Sequence, residues 1–167
     1  MILNRYLLSL GANLGDLHEN LQKAEHELLL LGSIVARSRP ALTKPLSYSD
    51  GREIGQPLYL NMVVDFRVNL LPEALYKEIV RIEDWLGHNR QQKGENRHMD
   101  IDILLYAKDS SPRFDACQML LYSGQTSLSI PHKELWQRAF LIELIQDLGL
   151  SEYYIISKAD YSIEVKK

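Results

Sequence analysis

The stretch Arg97-His98-Met99-Asp100-Ile101-Asp102-Ile103-Leu104-Leu105-Tyr106 constrains the fold more than any other. Met99, Ile101, Ile103 and Leu105 recur at every second position, the period of a strand with one apolar face. Asp100 and Asp102 then share the opposite face, with Cβ atoms roughly 6–7 Å apart at a rise of ~3.3 Å per residue. Like charges that close disfavour joint ionisation unless a cation or solvent relieves them. Oxygen-only ligands suit Mg²⁺, which keeps several waters and draws further ligands from substrate phosphates. Two such ions sit about 3.5–4 Å apart in two-metal sites, a span that paired carboxylates can bridge. The competing reading is a solvated strand face, because acidic residues are mostly exposed. Two neighbours weigh against it. Leu104 and Tyr106 continue the acidic face with bulky groups, so that face is expected to be covered further along. Arg97 and His98 place cations just before the pair, as suits a polyphosphate-metal complex.

A chain of 167 residues is expected to be one domain, 1–167, with a real core. Its 46% apolar and 25% charged residues are those of an ordinary globular protein. The net charge of −3 argues against a general nucleic-acid surface, which is usually basic. The single Cys117 excludes an internal disulfide framework and fits a reducing, cytoplasmic compartment. Residues 1–10 are apolar but interrupted by Asn4 and Arg5, too short for a membrane span and without a small-residue cleavage pattern. They read as a first strand.

Residues 6–10 form that strand, and Gly11-Ala12-Asn13-Leu14-Gly15 a turn; no Lys-Ser/Thr follows the second glycine, so it is not a GxxxxGK[ST] phosphate loop. Asp16, with Glu19 in capping-box spacing, opens a helix striped by Leu17, Leu21, Ala24, Leu28 and Leu31, ended by Gly32. Ile34-Val35-Ala36 is a short strand. Residues 43–57 make a long connection, usually functional or disordered at that length. The clearest strand is 58–68: Leu58, Leu60, Met62, Val64, Phe66 and Val68 face one way, and Tyr59, Asn61, Val63, Asp65 and Arg67 the other. Pro72 opens a second helix striped by Leu75, Ile79, Ile82 and Leu86 and stopped by Gly87. A polar loop, 87–96, carries His88, Arg90 and Lys93 into the aspartate strand. The order βαββαβ predicts an α+β, ferredoxin-like sheet with both helices on one face and the other left for a site. Residues 123–129 read as loop, 131–148 as an additional C-terminal helix, and 151–167 as a tail or extra strand.

In that order the chain resembles the 6-hydroxymethyl-7,8-dihydropterin pyrophosphokinase family of folate biosynthesis, over about residues 6–144. The likeness rests on Ser9-Leu10-Gly11-Ala12-Asn13-Leu14-Gly15-Asp16, Thr43-Lys44-Pro45, Gln56-Pro57-Leu58-Tyr59-Leu60-Asn61, Ile82-Glu83 with Leu86-Gly87, Arg97 to Ile103, and Pro131-His132 with Arg138-Ala139-Phe140-Leu141. The resemblance implies transfer of pyrophosphate from ATP to the hydroxymethyl group of the pterin, with release of AMP. It implies two Mg²⁺ ions held by Asp100 and Asp102, and phosphate contacts from Arg97, Arg138 and Arg90. Glu83, Ile103, Ser129 and His132 would shape the nucleotide site. Tyr59 and Phe140 would sandwich the pterin ring, with Asn61 on its polar edge and Thr43 and Leu46 nearby. The chemistry is coherent: a planar heterocycle calls for aromatic faces and a few hydrogen bonds, and a triphosphate for Mg²⁺ and bidentate arginine.

The sequence departs from the family where His88 replaces an arginine, where Glu95-Asn96 replaces Gly-Pro, and where Ala41-Leu42 lacks a tyrosine. His88 carries only part of an arginine's charge near neutral pH, so a slowly acting pterin- and nucleotide-binding relative is the first alternative. An RNA-binding module on the same fold is the second; it needs paired aromatics, for which only Tyr59 and Tyr106 are candidates, on a basic sheet face. Residue by residue, plainer roles compete. Tyr59 and Phe140 also suit core packing, and His132 a helix start. Arg138 has Glu134 at i,i+4 spacing, a pair worth ~0.3–0.5 kcal/mol. Arg90 and Lys93 also suit a solvated loop. Asn61 is disfavoured inside a strand and should have partners. The expected partners are ATP and the pterin, without nucleic acid or membrane, in a monomer.

Overall fold

The computed structural model describes residues 3–45, 55, 57–87, 97–111, 114, 119–123 and 126–150. Leu46, His88, Arg90, Lys93 and Glu95, the loops 47–54 and 89–96, and the tail 151–167 lie outside the described residues.

Local signals place the helices where their stripes require. The Asp16 side chain accepts the Glu19 N–H at 3.0 Å and starts α1, Leu17–Leu31. Leu21, Ala24 and Leu28 are its buried residues, with Asn20. At Gly32 a Cβ would collide with the Arg67 main-chain oxygen, so the chain leaves the helix here only without a side chain. Helix α2, Pro72–Trp85, begins on proline, whose missing N–H is an orphan there anyway, and buries Leu75, Ile79 and Ile82.

The strands are β1 (Asn4–Ala12), β2 (Ser33–Arg37), β3 (Ala41–Thr43), β4 (Tyr59–Val68) and β5 (Asp100–Ala107). They pair antiparallel in the order β2-β4-β1-β5, with β3 alongside β4. The molecule is thus a mixed α/β structure on an antiparallel sheet. Strand β1 runs longer than the apolar run 6–10, because its polar ends also have strand partners: Asn4 opposite Val68, Gly11 opposite Asn61. The three-residue β3, between Pro40 and Lys44-Pro45, carries no alternation long enough to be seen in advance.

Both sheet faces are covered. Helices α1 and α2 pack on Tyr6, Leu8, Leu10, Met62, Val64, Phe66, Ile101 and Ile103. Burying each such side chain contributes ~1.5–3 kcal/mol. The opposite face is not left open, as the two-helix reading had it. A third helix, α3 (Ala139–Asp147), puts Leu141, Leu144 and Ile145 against Leu7, Val63, Leu104 and Leu105. Asn61, Gly11, Asp100 and Asp102, at one end of this face, are not part of α3's apolar cluster. On the same face Arg5 and Asp65, both nearly inaccessible, form an ion pair (Nη2 to Oδ2, 2.8 Å) under Phe114, whose ring centre is 4.6 Å from the Arg5 guanidinium carbon.

Three expectations are corrected here. The acidic face of β5 does not continue to Tyr106. Leu7 faces Leu105 while Leu8 faces Ile103, so Leu104 is the extra residue of a bulge and the alternation changes phase there. Leu105 joins the α3 side, and Tyr106 turns to the α1/α2 side, its ring 5.1 Å from that of Tyr6. Ser123 and residues 126–129 are strand and not loop: β6 (Met119–Ser123) and β7 (Thr126–Ile130) pair antiparallel. The helix expected over 131–148 is only α3. Before it, the His132 N–H donates to the Leu104 carbonyl at 2.9 Å, which ties this segment to the outer edge of β5 instead of a helical ladder.

Candidate active site

The site is built on one row across the sheet, Ala41–Asn61–Gly11–Asp100. The carboxylate strand and the amide strand are not neighbours; β1 lies between them. Gly11 makes the row possible, since a Cβ there would stand 2.5 Å from Asn61 Oδ1. The Asn61 amide therefore lies over β1 and donates from Nδ2 to Thr43 Oγ1 at 2.6 Å. This partner answers why an asparagine is tolerated inside a strand, and it brings Thr43 and Asn61 together.

Across β1, Arg97 Nη1 lies 2.5 Å from Asp100 Oδ2. Partial burial works against the Arg97 charge, but Asp100 outweighs it and holds its pKa above the ordinary value. Asp102 sits one pleat along, opposite Ser9. Its carboxyl is pushed up to about 6, first by burial and then by Asp100; His132, Arg138 and Arg97 oppose the shift. His132 Nε2 stands 3.8 Å from Asp102 Oδ1, and its buried Nδ1 has no hydrogen-bond partner among the described residues. Arg138 is ion-paired with Glu134. Tyr59 is half-buried; burial raises its pKa, Arg97 and Arg138 lower it, and Asp100 raises it. Tyr59, Arg97, Asp100, Asp102, His132 and Arg138 thus share one electrostatic neighbourhood.

Other expected residues stand differently. Glu83 is buried in α2, and its Oε1 accepts the Ile101 N–H at 2.7 Å. It grips the strand between the two aspartates. The Ile103 side chain belongs to the α1/α2 core, so it is main chain that this position presents to the other face. Ser129 Oγ donates to the Pro131 carbonyl at 3.1 Å. Phe140 packs half-buried against the α3 cluster. His98 does not join the cations beside the carboxylates; its ring lies against Gly15 and Gly87.

Sequence reasoning left Asn13 without a role. It is 3% exposed, its Oδ1 accepts the Arg97 N–H at 2.7 Å, and its own N–H donates to the Arg97 carbonyl at 3.0 Å. The one available signal was an amide between two glycines in a turn.

Among the described residues no three His, Cys, Asp or Glu side chains gather as a ligand set. The acidic donors are the Asp100/Asp102 pair, all oxygen, with a mutual repulsion that a divalent cation would relieve. That donor set fits Mg²⁺ completed by phosphate and water. An acidic pair faced by arginines, beside an amide and an aromatic ring, defines a class of site: one suited to group transfer between a polyphosphate and a flat polar molecule.

The chain belongs to the 7,8-dihydro-6-hydroxymethylpterin-pyrophosphokinase family, whose model matches residues 7–149. It is 34% identical over 149 residues to the 2-amino-4-hydroxy-6-hydroxymethyldihydropteridine pyrophosphokinase of Porphyromonas gingivalis, covering 85% of this chain and 88% of that one. The enzyme of the same name from Haemophilus influenzae is 31% identical over 157 residues, 90% and 88% of the two chains. The folate synthesis bifunctional protein of Chlamydia muridarum is 31% identical over 159 residues, 95% of this chain. The chain spans only 33% of that relative's length. No helix among the described residues is long and apolar enough to cross a membrane.

Proposed function

We propose that this chain transfers the β,γ-pyrophosphoryl group of ATP to the hydroxymethyl oxygen of 6-hydroxymethyl-7,8-dihydropterin. The alcohol oxygen attacks the β-phosphorus in line. The bond from that phosphorus to the α,β-bridging oxygen breaks, AMP departs, and the alcohol proton is released. The observation that carries this reading is the Asn61–Gly11–Asp100 row, which sets a hydrogen-bonding floor beside a carboxylate pair with no side chain between them. The floor suits the pterin: Asn61 and Thr43 meet its polar edge, and Tyr59 and Phe140 its faces. Leu46 completes that side in the family pattern.

Asp100 and Asp102 are the residues that would hold two Mg²⁺ ions, which would neutralise phosphate charge and polarise phosphoryl oxygens there. Arg97 and Arg138 would contact phosphate oxygens, with Arg90 as a third arginine in the family pattern; His88 stands where the family has another arginine. Glu83, Ile103, Ser129 and His132 border the nucleotide. His132 Nδ1, buried and without a partner among the described residues, is a polar atom that a ligand can satisfy. Catalysis on this reading is positioning plus charge neutralisation. The strand order supports the ferredoxin-like assignment, because β2-β4-β1-β5 is the order that βαββαβ connectivity produces once β3 is set aside. A monomeric cytoplasmic enzyme is the corresponding assembly and location.

The test is to combine the protein with ATP, Mg²⁺ and the hydroxymethyl pterin and to separate the nucleotide products. AMP in step with pterin diphosphate is expected. ADP as the product, or no pterin-dependent turnover, refutes the reading.

A further inference from the structure

The turn between β1 and α1 does more than reverse the chain. The Asn13 side-chain Oδ1 accepts the Arg97 N–H at 2.7 Å, and the main-chain N–H of the same residue donates to the Arg97 carbonyl at 3.0 Å, so the side chain alone carries the bond that a substitution removes. Two such bonds fix the peptide planes on either side of Arg97, and therefore the direction of its Cα–Cβ bond. The next residue is held as well. The His98 ring lies against Gly15 and Gly87, whose φ angles are 74° and 88°, and a Cβ on either would approach the ring to 3.3 or 3.4 Å. Three residues on, Glu83 takes the Ile101 N–H. The segment between Arg97 and Ile101 is thus gripped from β1's turn and from α2, and it carries the Arg97–Asp100 pair.

We propose that Asn13 is a positioning residue for phosphate binding: it fixes the Arg97 main chain so that the guanidinium stands at the nucleotide site before ATP arrives. The inference rests on the reading that Arg97 meets phosphate. A buried amide could stabilise the turn and do nothing else, but that role would not run through the Arg97 side chain. Preorganisation does, because an arginine on an unfixed main chain loses both its aim and the freedom it must give up on binding.

The experiment is a double-mutant cycle on turnover, with Asn13→Ala, Arg97→Ala and the pair in the full chain. Asn13→Ala should lower kcat/KM for ATP on the order of tenfold to a hundredfold, the range a misplaced binding group produces. KM for the pterin should stay within about twofold of the parent value. In the Arg97→Ala background the same change should lose less than about threefold more, since the group it positions is gone. Asn13→Asp keeps an oxygen on the Arg97 N–H and should recover most of the ATP loss. If Asn13→Ala does not fold, Asn13→Ser, whose hydroxyl falls short of that N–H, replaces it in the cycle. Equal losses in both backgrounds, a pterin KM that rises in parallel, or no recovery with aspartate overturns the proposal. A fully active Arg97→Ala enzyme removes the phosphate role of Arg97, and that of Asn13 with it.

Discussion

Replacing Asp102 by asparagine should make the metal-free protein more stable while ending its turnover. The reason is the position of its carboxyl: partly buried, beside Asp100, and pushed from 3.8 up to about 6. Between those two values the folded protein binds more protons at this position than the unfolded chain does. Stability from this group therefore falls as pH rises from about 4 through 6, and above that the full penalty is present. At 1.36 kcal/mol per pKa unit the shift corresponds to about 3 kcal/mol. The side chain remains 33% accessible, so solvent screening reduces this to roughly 1–2 kcal/mol. An asparagine in its place carries no charge and escapes the penalty. Urea unfolding of parent and Asp102→Asn proteins in EDTA is the assay, at pH 8, 6 and 4.5. The variant's midpoint should be higher at pH 8, and at pH 4.5 the gap should shrink to about a third of that size. Mg²⁺ with a nonhydrolysable ATP analogue should raise the parent's midpoint and leave the variant's nearly unmoved. A variant no more stable at pH 8, or a gain that does not change with pH, refutes the argument.

Gly11→Ala places a methyl 2.5 Å from Asn61 Oδ1, so the amide must swing off Thr43; we expect a loss of ~1–3 kcal/mol in stability and a clear rise in pterin KM, read by thermal unfolding and steady-state kinetics. Asn61→Ala should weaken pterin binding by ~1–3 kcal/mol and leave ATP binding nearly unchanged by calorimetry; equal losses count against its place on the pterin floor. Asp65→Ala takes the carboxylate away from the buried Arg5 guanidinium and should cost up to about 3–5 kcal/mol in urea unfolding. Replacing Arg5 and Asp65 together by Met and Leu should cost less than removing Asp65 alone.

The element order was legible because periodicity is a local property. Leu21, Ala24 and Leu28, or Leu75, Ile79 and Ile82, can belong only to a helix face. Tyr59 to Val68 declares itself a strand in the same way. What escaped depended on partners far along the chain. Leu104-Leu105 are both apolar, so nothing in their own sequence says which is the extra residue; the register with Leu7 and Leu8 decides it. The hairpin of β6 and β7 hid behind serines and threonines that suit loops and strands alike, although two residues with a glycine between the runs are a hairpin spacing. At the site the carboxylate pair was visible from its spacing alone. The hydrogen bond from Arg97 to Asn13 joins positions 84 apart and leaves no local trace. Placing Asn61 beside the carboxylates needed the knowledge that β1 separates them and that its residue there is glycine.

The single surplus residue in β5 lets eight consecutive positions serve opposite ends of the molecule. Up to Asp102 the strand offers acids to the outside and isoleucines to the helices; past the irregularity it turns Tyr106 inward to Asn4 and Leu105 toward α3. Deleting Leu104 would leave Ile103 opposite Leu8, Leu105 opposite Leu7 and Tyr106 opposite Tyr6, so every later side chain keeps its face. What is lost is one fully buried leucine from the cluster under α3, a core truncation that costs about 2–5 kcal/mol. A shortened strand should therefore keep its acids and its pairing, and give up only the filling on one side.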